Sequence, residues 1–158
     1  LHDVGKIGIP DRILLKPGKL ERDEFEIMKR HTVLGRDAIE QAEHTLGLAV
    51  EFLRIAKQII LYHHEKWDGS GYPEGLSGDA IPIAARLMAV ADVYDALISR
   101  RIYKEGMTHE NASRVIAEGK GKHFDPDVVD MFLESEGEFR QIAQQYFDSD
   151  DDLNKSLT

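Results

Sequence analysis

Pro82 to Arg100 reads PIAARLMAVADVYDALISR, and this stretch decides the fold class. Its apolar residues run almost all the way round a helix, which predicts a helix from Pro82 to about Arg101 at the centre of a bundle. Pro82 suits the first turn, where a missing N–H costs little. Asp92 conflicts with this apolar setting, because it lies four residues from both Met88 and Ala96. A helical Asp usually faces solvent, whereas a buried one needs a partner.

Working outward, the remaining segments are also helical in period. Phe25, Met28, Thr32, Gly35 and Ile39 recur at three- and four-residue steps, predicting an inward stripe on a helix from Arg22 to about Ala42. Ala49, Leu53, Ala56 and Ile60 form a second stripe on a helix from Leu46 to His64. Thr108 reads as the N-cap of a short helix through Glu118, and Asp125-Pro126 opens another through Glu134. A last helix is expected from Glu136 to Phe147, burying Phe139, Ile142 and Tyr146. Pro10, Pro17 and Gly18 predict turn-rich chain before Arg22. No alternating strand pattern, repeat or linker is present. The expectation is an all-α bundle of five to six helices over residues 1–147, with a polar, frayed tail over 148–158.

Composition narrows the function. The chain has 158 residues, a formal net charge of −9 and no cysteine. Disulfides and thiolate metal sites are excluded, and a cytoplasmic setting is expected. The acidic balance argues against binding a nucleic-acid polymer, which needs a basic stripe. No apolar run approaches the roughly 20 residues of a membrane span, and the N-terminus does not read as a signal peptide.

Tyr62 to Gly78, YHHEKWDGSGYPEGLSG, places two of the seven histidines side by side, then the only tryptophan and four glycines. His63 extends the Ala49–Ile60 stripe, and His64 follows it. His31 extends the Phe25–Met28 progression inward, while His2-Asp3 opens the chain. Taken singly, each has an ordinary explanation as a hydrogen-bonded core or surface residue. Taken together, several inward imidazoles and two carboxylates would be costly to bury unpaired, and convergence on a cation removes most of that cost. Histidine and aspartate without thiolate suit iron, manganese, nickel or zinc. Six ligands exceed one tetrahedral site and suggest two ions, the arrangement typical of phosphoester hydrolysis. Lys6 lies three residues after Asp3. Arg101 and Lys104 follow the Asp92 helix, suited either to phosphate binding or simply to its C-terminal dipole.

HDVGKIGIPD, the lone His31, YHHEKWDGSGYPEGLSGDAIP and ARLMAVADVYDALISRRIYK resemble, in order, the signature blocks of the HD-GYP domain. This is a branch of the HD metal-dependent phosphohydrolases. GKHFDPDVVDMFL resembles its C-terminal helix. The resemblance implies a helical bundle with a Gly-rich GYP loop around two or three divalent metal ions, iron or manganese. It also implies hydrolysis of cyclic di-GMP to pGpG and GMP in bacterial signalling. By position, His2, Asp3, His31, His63, His64 and Asp92 match metal ligands, with Asp3 bridging and catalytic. Lys6 matches a catalytic lysine near the scissile phosphate. Gly71, Tyr72, Pro73, Asp95, Arg101 and Lys104 match substrate-binding positions, and Trp67 and Tyr72 are expected to fold back beside the metals. His44, His109 and His123 match no ligand position. Implied partners are cyclic di-GMP synthase (GGDEF) domains at the GYP loop and an upstream regulatory or receiver domain. The resemblance implies helices before the HD pair that supply further metal ligands, so residues 1–147 are expected to be an N-terminally truncated HD-GYP domain. The alternative expectation is therefore a non-catalytic module that senses cyclic dinucleotide or docks a partner, this fragment being inactive without the upstream ligands.

Overall fold

A computed structural model describes residues 1–47, 51–99 and 106–155, with side chains described to residue 145. Ala49 of the second stripe, Arg101, Lys104 and the side chain of Tyr146 lie outside the described residues. The chain is all-α, with no strand among those residues. A 3-10 turn, Val4–Gly8, leads into α1 (Asp11–Leu14), α2 (Arg22–Lys29), α3 (His31–Leu46) and α4 (Glu51–Tyr62). After the Gly-rich loop come α5 (Ile83–Ile98), α6 (His109–Glu118), α7 (Pro126–Glu134) and α8 (Glu136–Lys155). Among the described residues no helix is long and apolar enough to cross a membrane.

The caps of the C-terminal half follow from their sequences. The Thr108 side chain accepts from the Asn111 backbone N–H, and Asp125 accepts from that of Asp127, with Pro126 at the first helical position. Gly47, at φ 62°, ends α3 in the left-handed conformation that favours glycine. Leu46 therefore belongs to α3, and among the described residues α4 is Glu51–Tyr62. The last helix continues past Phe147 to Lys155, since no proline or glycine follows Gly137 to stop it.

The expected helix from Arg22 to Ala42 is two helices. At Arg30 the ladder tightens, its N–H bonding to Ile27 O three residues back at 3.1 Å. Side chains take up carbonyls on the same turn: His31 Nδ1–H donates to Met28 O at 2.7 Å, and Thr32 Oγ1 donates to Lys29 O at 3.0 Å. Beyond the break α2 has no buried residue, whereas His31, Thr32 and Gly35 of α3 are buried. Phe25 is therefore not a core residue as its stripe suggests; it is 43% exposed.

The core gathers one face of α5 (Ala89, Val90, Tyr94, Ile98) with Ala112 and Ile116 of α6 and Val128, Val129 and Phe132 of α7. Fully burying an aliphatic side chain of this size contributes about 1.5–3 kcal/mol. The expectation that α5 is covered all round needs correction, because Ile83 and Leu87 stay more than half exposed. On α8, Phe139 packs on the core as expected, but Ala143 is buried in place of Ile142.

Glycine fixes how the first turn meets α3. A Cβ on Gly5 would stand 1.9 Å from His31 O and 2.4 Å from Gly35 N. The two backbones touch there, and this contact sets the position of His2-Asp3 against the first residue of α3.

Candidate metal centre

Four elements deliver the candidate ligands. His2 and Asp3 precede the 3-10 turn, and His31 opens α3. His63 and His64 follow the last residue of α4, and Asp92 comes from the middle of α5. One ligand atom each from Asp3, His31, His63 and His64 lies within 4.8 Å of all the others. His2 Nε2 sits 3.4 Å from both Asp3 Oδ2 and Asp92 Oδ1, which joins the α5 carboxylate to the group. All six ligands expected from the sequence converge.

The donor atoms fit a cation. Asp3 Oδ1, His31 Nε2 and His63 Nε2 are buried and have no hydrogen-bond partner. Such orphans are rare in folded proteins and call for an explanation. His31 Nδ1–H donates to Met28 O, and His63 Nδ1–H donates to the Ile59 and Ile60 carbonyls at 3.0 Å. In the neutral rings these bonds place the proton on Nδ1 and leave the Nε2 lone pair facing the cluster, as a metal-ligating histidine requires. Asp3 Oδ1 is 3.4 Å from His31 Nε2 and 3.9 Å from His63 Nε2. Lys6 Nζ donates to the other oxygen of Asp3 at 2.6 Å.

The electrostatics agree with this donor set. Burial lowers the His31 pKa, pushes that of His63 down to about 4, and pushes that of His64 down to about 3 with help from its histidine neighbours. All three are neutral at pH 7. Burial would raise the Asp3 pKa, but hydrogen bonds from His2 and Lys6 overcome it and hold the carboxyl well below its usual range. The hydrogen bond from His2 lowers Asp92 as well. His2 itself, bonded to Asp3 and Asp92, is pushed up to about 9.

These shifts set how the metal-free chain responds to pH. His63 and His64 titrate lower when folded than unfolded, so their contribution is present above about pH 6.5 and is lost as pH falls towards 4. His2 titrates higher when folded, so its contribution is present below about pH 6.5 and is lost as pH rises through 9. Chelator-treated protein is expected to show its highest unfolding temperature near pH 6.5, falling by several degrees on either side in thermal scans from pH 4 to 9.5.

The Gly-rich loop wraps onto the histidine pair. Tyr72 N–H donates to His64 O at 3.2 Å, and the Tyr72 ring lies 4.8 Å from the His64 ring. A Cβ on Gly71 would come within 2.3–2.6 Å of the backbone of residues 64–66, so only glycine allows that approach. Pro73 follows, half-buried. Trp67 does not join Tyr72 at the cluster as expected; Arg86 lies over its ring at 5.7 Å. Arg86 also bonds Ile81 O and the buried Asp125 that caps α7, tying the loop to the bundle. Asp95 is exposed near the end of α5 with Ser99 Oγ 3.4 Å away, outside the converging group. The three remaining histidines stand apart: His44 is exposed, His109 bonds the Tyr94 hydroxyl, and His123 stacks on Phe124.

Glu65 is a residue the sequence reading passed over. It is 2% exposed and receives three backbone N–H groups, from Glu74 at 2.8 Å and Gly75 at 3.0 Å on Oε1 and from Leu76 at 3.1 Å on Oε2. One carboxylate next to the His63-His64 pair thus pins the far side of the GYP loop. Glu65→Gln turns an NH2 group towards at least one of those donors. It is expected to cost about 1–3 kcal/mol, lowering the unfolding temperature by roughly 2–10 °C in a thermal melt.

Residues 1–128 match the family model described as an HD domain. The chain belongs to the HD domain family, in its HD-GYP branch. Among curated relatives, this HD-GYP domain is 57% identical over 94% of its length to a cyclic di-GMP phosphodiesterase of Vibrio cholerae serotype O1, of which it covers 30%. It is 47% identical over 98% of its length to a cyclic di-GMP phosphodiesterase of Thermotoga maritima, covering 40% of that protein. A 3'3'-cGAMP-specific phosphodiesterase of Vibrio cholerae is also 47% identical, over 90% of this chain and 26% of its own. The HD-GYP domain therefore spans about a third of the length of the curated relatives it matches.

Proposed function

We propose that this HD-GYP domain is a metal-dependent phosphodiesterase that opens cyclic di-GMP to pGpG and carries it onward to GMP, acting in the cytoplasm in bacterial signalling. The observation carrying the reading is the set of unpartnered buried atoms, Asp3 Oδ1, His31 Nε2 and His63 Nε2, turned towards one another beside the GYP loop. Relatives named for cyclic dinucleotide hydrolysis support the substrate class.

Asp3, His31, His63 and His64 would hold the metal with His2 and Asp92, six nitrogen and oxygen donors that suit two ions of iron or manganese. Bound there, divalent metal supplies Lewis acidity towards the phosphoryl oxygens and a more acidic water. In the reaction water adds to phosphorus, the bond to the 3' oxygen breaks, and that oxygen leaves and takes up a proton. The residues here prepare the geometry. Asp3 touches His2, His31, His63 and Lys6, so it holds both halves of the ligand set. Lys6 keeps a positive charge beside that carboxylate, where negative charge builds on the phosphoryl group. Gly71, Tyr72 and Pro73 form the wall along which the dinucleotide lies. We assign Arg101 and Lys104 to the ligand's phosphates and the exposed tip at Glu74–Gly75 to docking of cyclic di-GMP synthase domains.

The similarity to a 3'3'-cGAMP-specific enzyme favours one competing substrate. Incubating manganese-loaded protein with cyclic di-GMP and 3'3'-cGAMP in parallel, with products resolved by chromatography, separates them. Faster conversion of cyclic di-GMP is expected. A preference for 3'3'-cGAMP moves the assignment to that nucleotide, and inertness towards both overturns the proposal.

A further inference from the structure

We infer, resting on the cyclic-dinucleotide reading above, that the exposed Phe25 ring, met at right angles by Tyr72, is where one nucleobase of the substrate stacks. Helix α2 carries a helical-period apolar pattern yet has no buried residue, so its aromatic is left at the surface. Phe25 is 43% exposed and meets Tyr72 edge to face, with ring centroids 6.1 Å apart and planes at 85°. Tyr72 in turn lies against the metal-side His64 at 4.8 Å. The aromatic wall thus runs outward from the candidate metal centre. Phe25 is less than 11 Å from the His64 ring, the two centroid steps of 6.1 and 4.8 Å laid end to end. That is within reach of one nucleoside whose phosphate sits at the cluster.

A cation lies beside this ring. Lys29 Nζ stands 5.2 Å from the Phe25 centroid and 5.6 Å from that of Tyr72, and it is paired with Glu26 at 2.7 Å. A partly exposed flat ring with an ammonium beside it suits a purine, whose face stacks on an aromatic and whose N7 and O6 edge accepts from lysine. An apolar peptide would gain little from the lysine, and a polyanion would meet a chain of net charge −9.

The test uses manganese-loaded protein, with KM and kcat for cyclic di-GMP measured on wild type, Phe25→Ala, Phe25→Leu and Phe25→Trp. Metal content and circular dichroism are recorded alongside. Phe25→Ala is expected to raise KM by about 5- to 150-fold. Phe25→Trp restores most of the loss because it keeps a flat ring, while Phe25→Leu does not. An unchanged KM in Phe25→Ala overturns the inference alone, as does rescue by leucine equal to that by tryptophan. Loss of metal or helicity in the alanine and leucine variants also overturns it, since Phe25 is then a structural contact. Wild type without turnover of cyclic di-GMP overturns the proposed function, and this inference with it.

Discussion

Asp3→Ala is expected to lower kcat/KM for cyclic di-GMP by about 10³-fold or more, equivalent to about 4 kcal/mol, and to empty the metal site. One oxygen of Asp3 faces His31 and His63, at 3.4 and 3.9 Å. The other faces Lys6 and His2, at 2.6 and 3.4 Å. Removing Asp3 leaves His31 and His63 with Nε2 lone pairs and no shared anion, and it leaves Lys6 beside a site that has lost a negative charge. Asp3→Asn separates shape from charge, because it keeps the volume and one neutral oxygen acceptor but removes the negative charge. Elemental analysis and initial rates on the same preparations read both effects. Turnover retained in Asp3→Ala with wild-type metal content contradicts the role given to Asp3.

The second large effect is on the scaffold. Gly5→Ala places a methyl group 1.9 Å from a backbone oxygen and 2.4 Å from a backbone nitrogen of α3. Neither atom can rotate away as a side chain could. Relief requires the 3-10 turn to lift from α3, carrying His2 and Asp3 away from His31. Overpacking of this kind costs about 3 kcal/mol or more, which for a chain of this size lowers the unfolding midpoint by roughly 6–12 °C. Thermal melts with metal titration check it. Any protein that folds is expected to bind metal more weakly, whereas an unchanged midpoint and unchanged metal binding contradict the close crossing of Gly5 and Gly35.

The sequence disclosed those parts of the molecule that local chemistry decides. Thr108 and Asp125-Pro126 announce helix starts because caps and N-terminal proline act within one turn. His63 could be placed inward because it extends the buried Ala56–Ile60 stripe of α4. His31 is buried as expected, although the Phe25–Met28 stripe it was read from ends at the break. The break at Arg30 could not be read. Both sides keep a helical period, and no proline or glycine marks the junction; side-chain bonds from His31 and Thr32 to nearby carbonyls accompany it. For the same reason Phe25 looked like core.

Glu65 and Gly5 were hidden differently. An acidic residue in a Gly-rich loop normally points to water, and only the folded loop brings three N–H groups to its carboxylate. Gly5 reads as a generic breaker until α3 crosses it. A signal did exist in each case: Glu65 adjoins the histidine pair, and Gly5 follows the His-Asp pair by two residues. On α8, Phe139 packs on the core as its period suggested, but the small Ala143 is buried beside it and the larger Ile142 is exposed.

The most direct test follows cyclic di-GMP by liquid chromatography and mass spectrometry during incubation with manganese-loaded protein, before and after chelation and after metal is restored. The account predicts that pGpG and then GMP accumulate, that chelation stops them, and that restored metal restarts them. No pGpG under any metal condition, or pGpG formed equally fast in the presence of chelator, contradicts it.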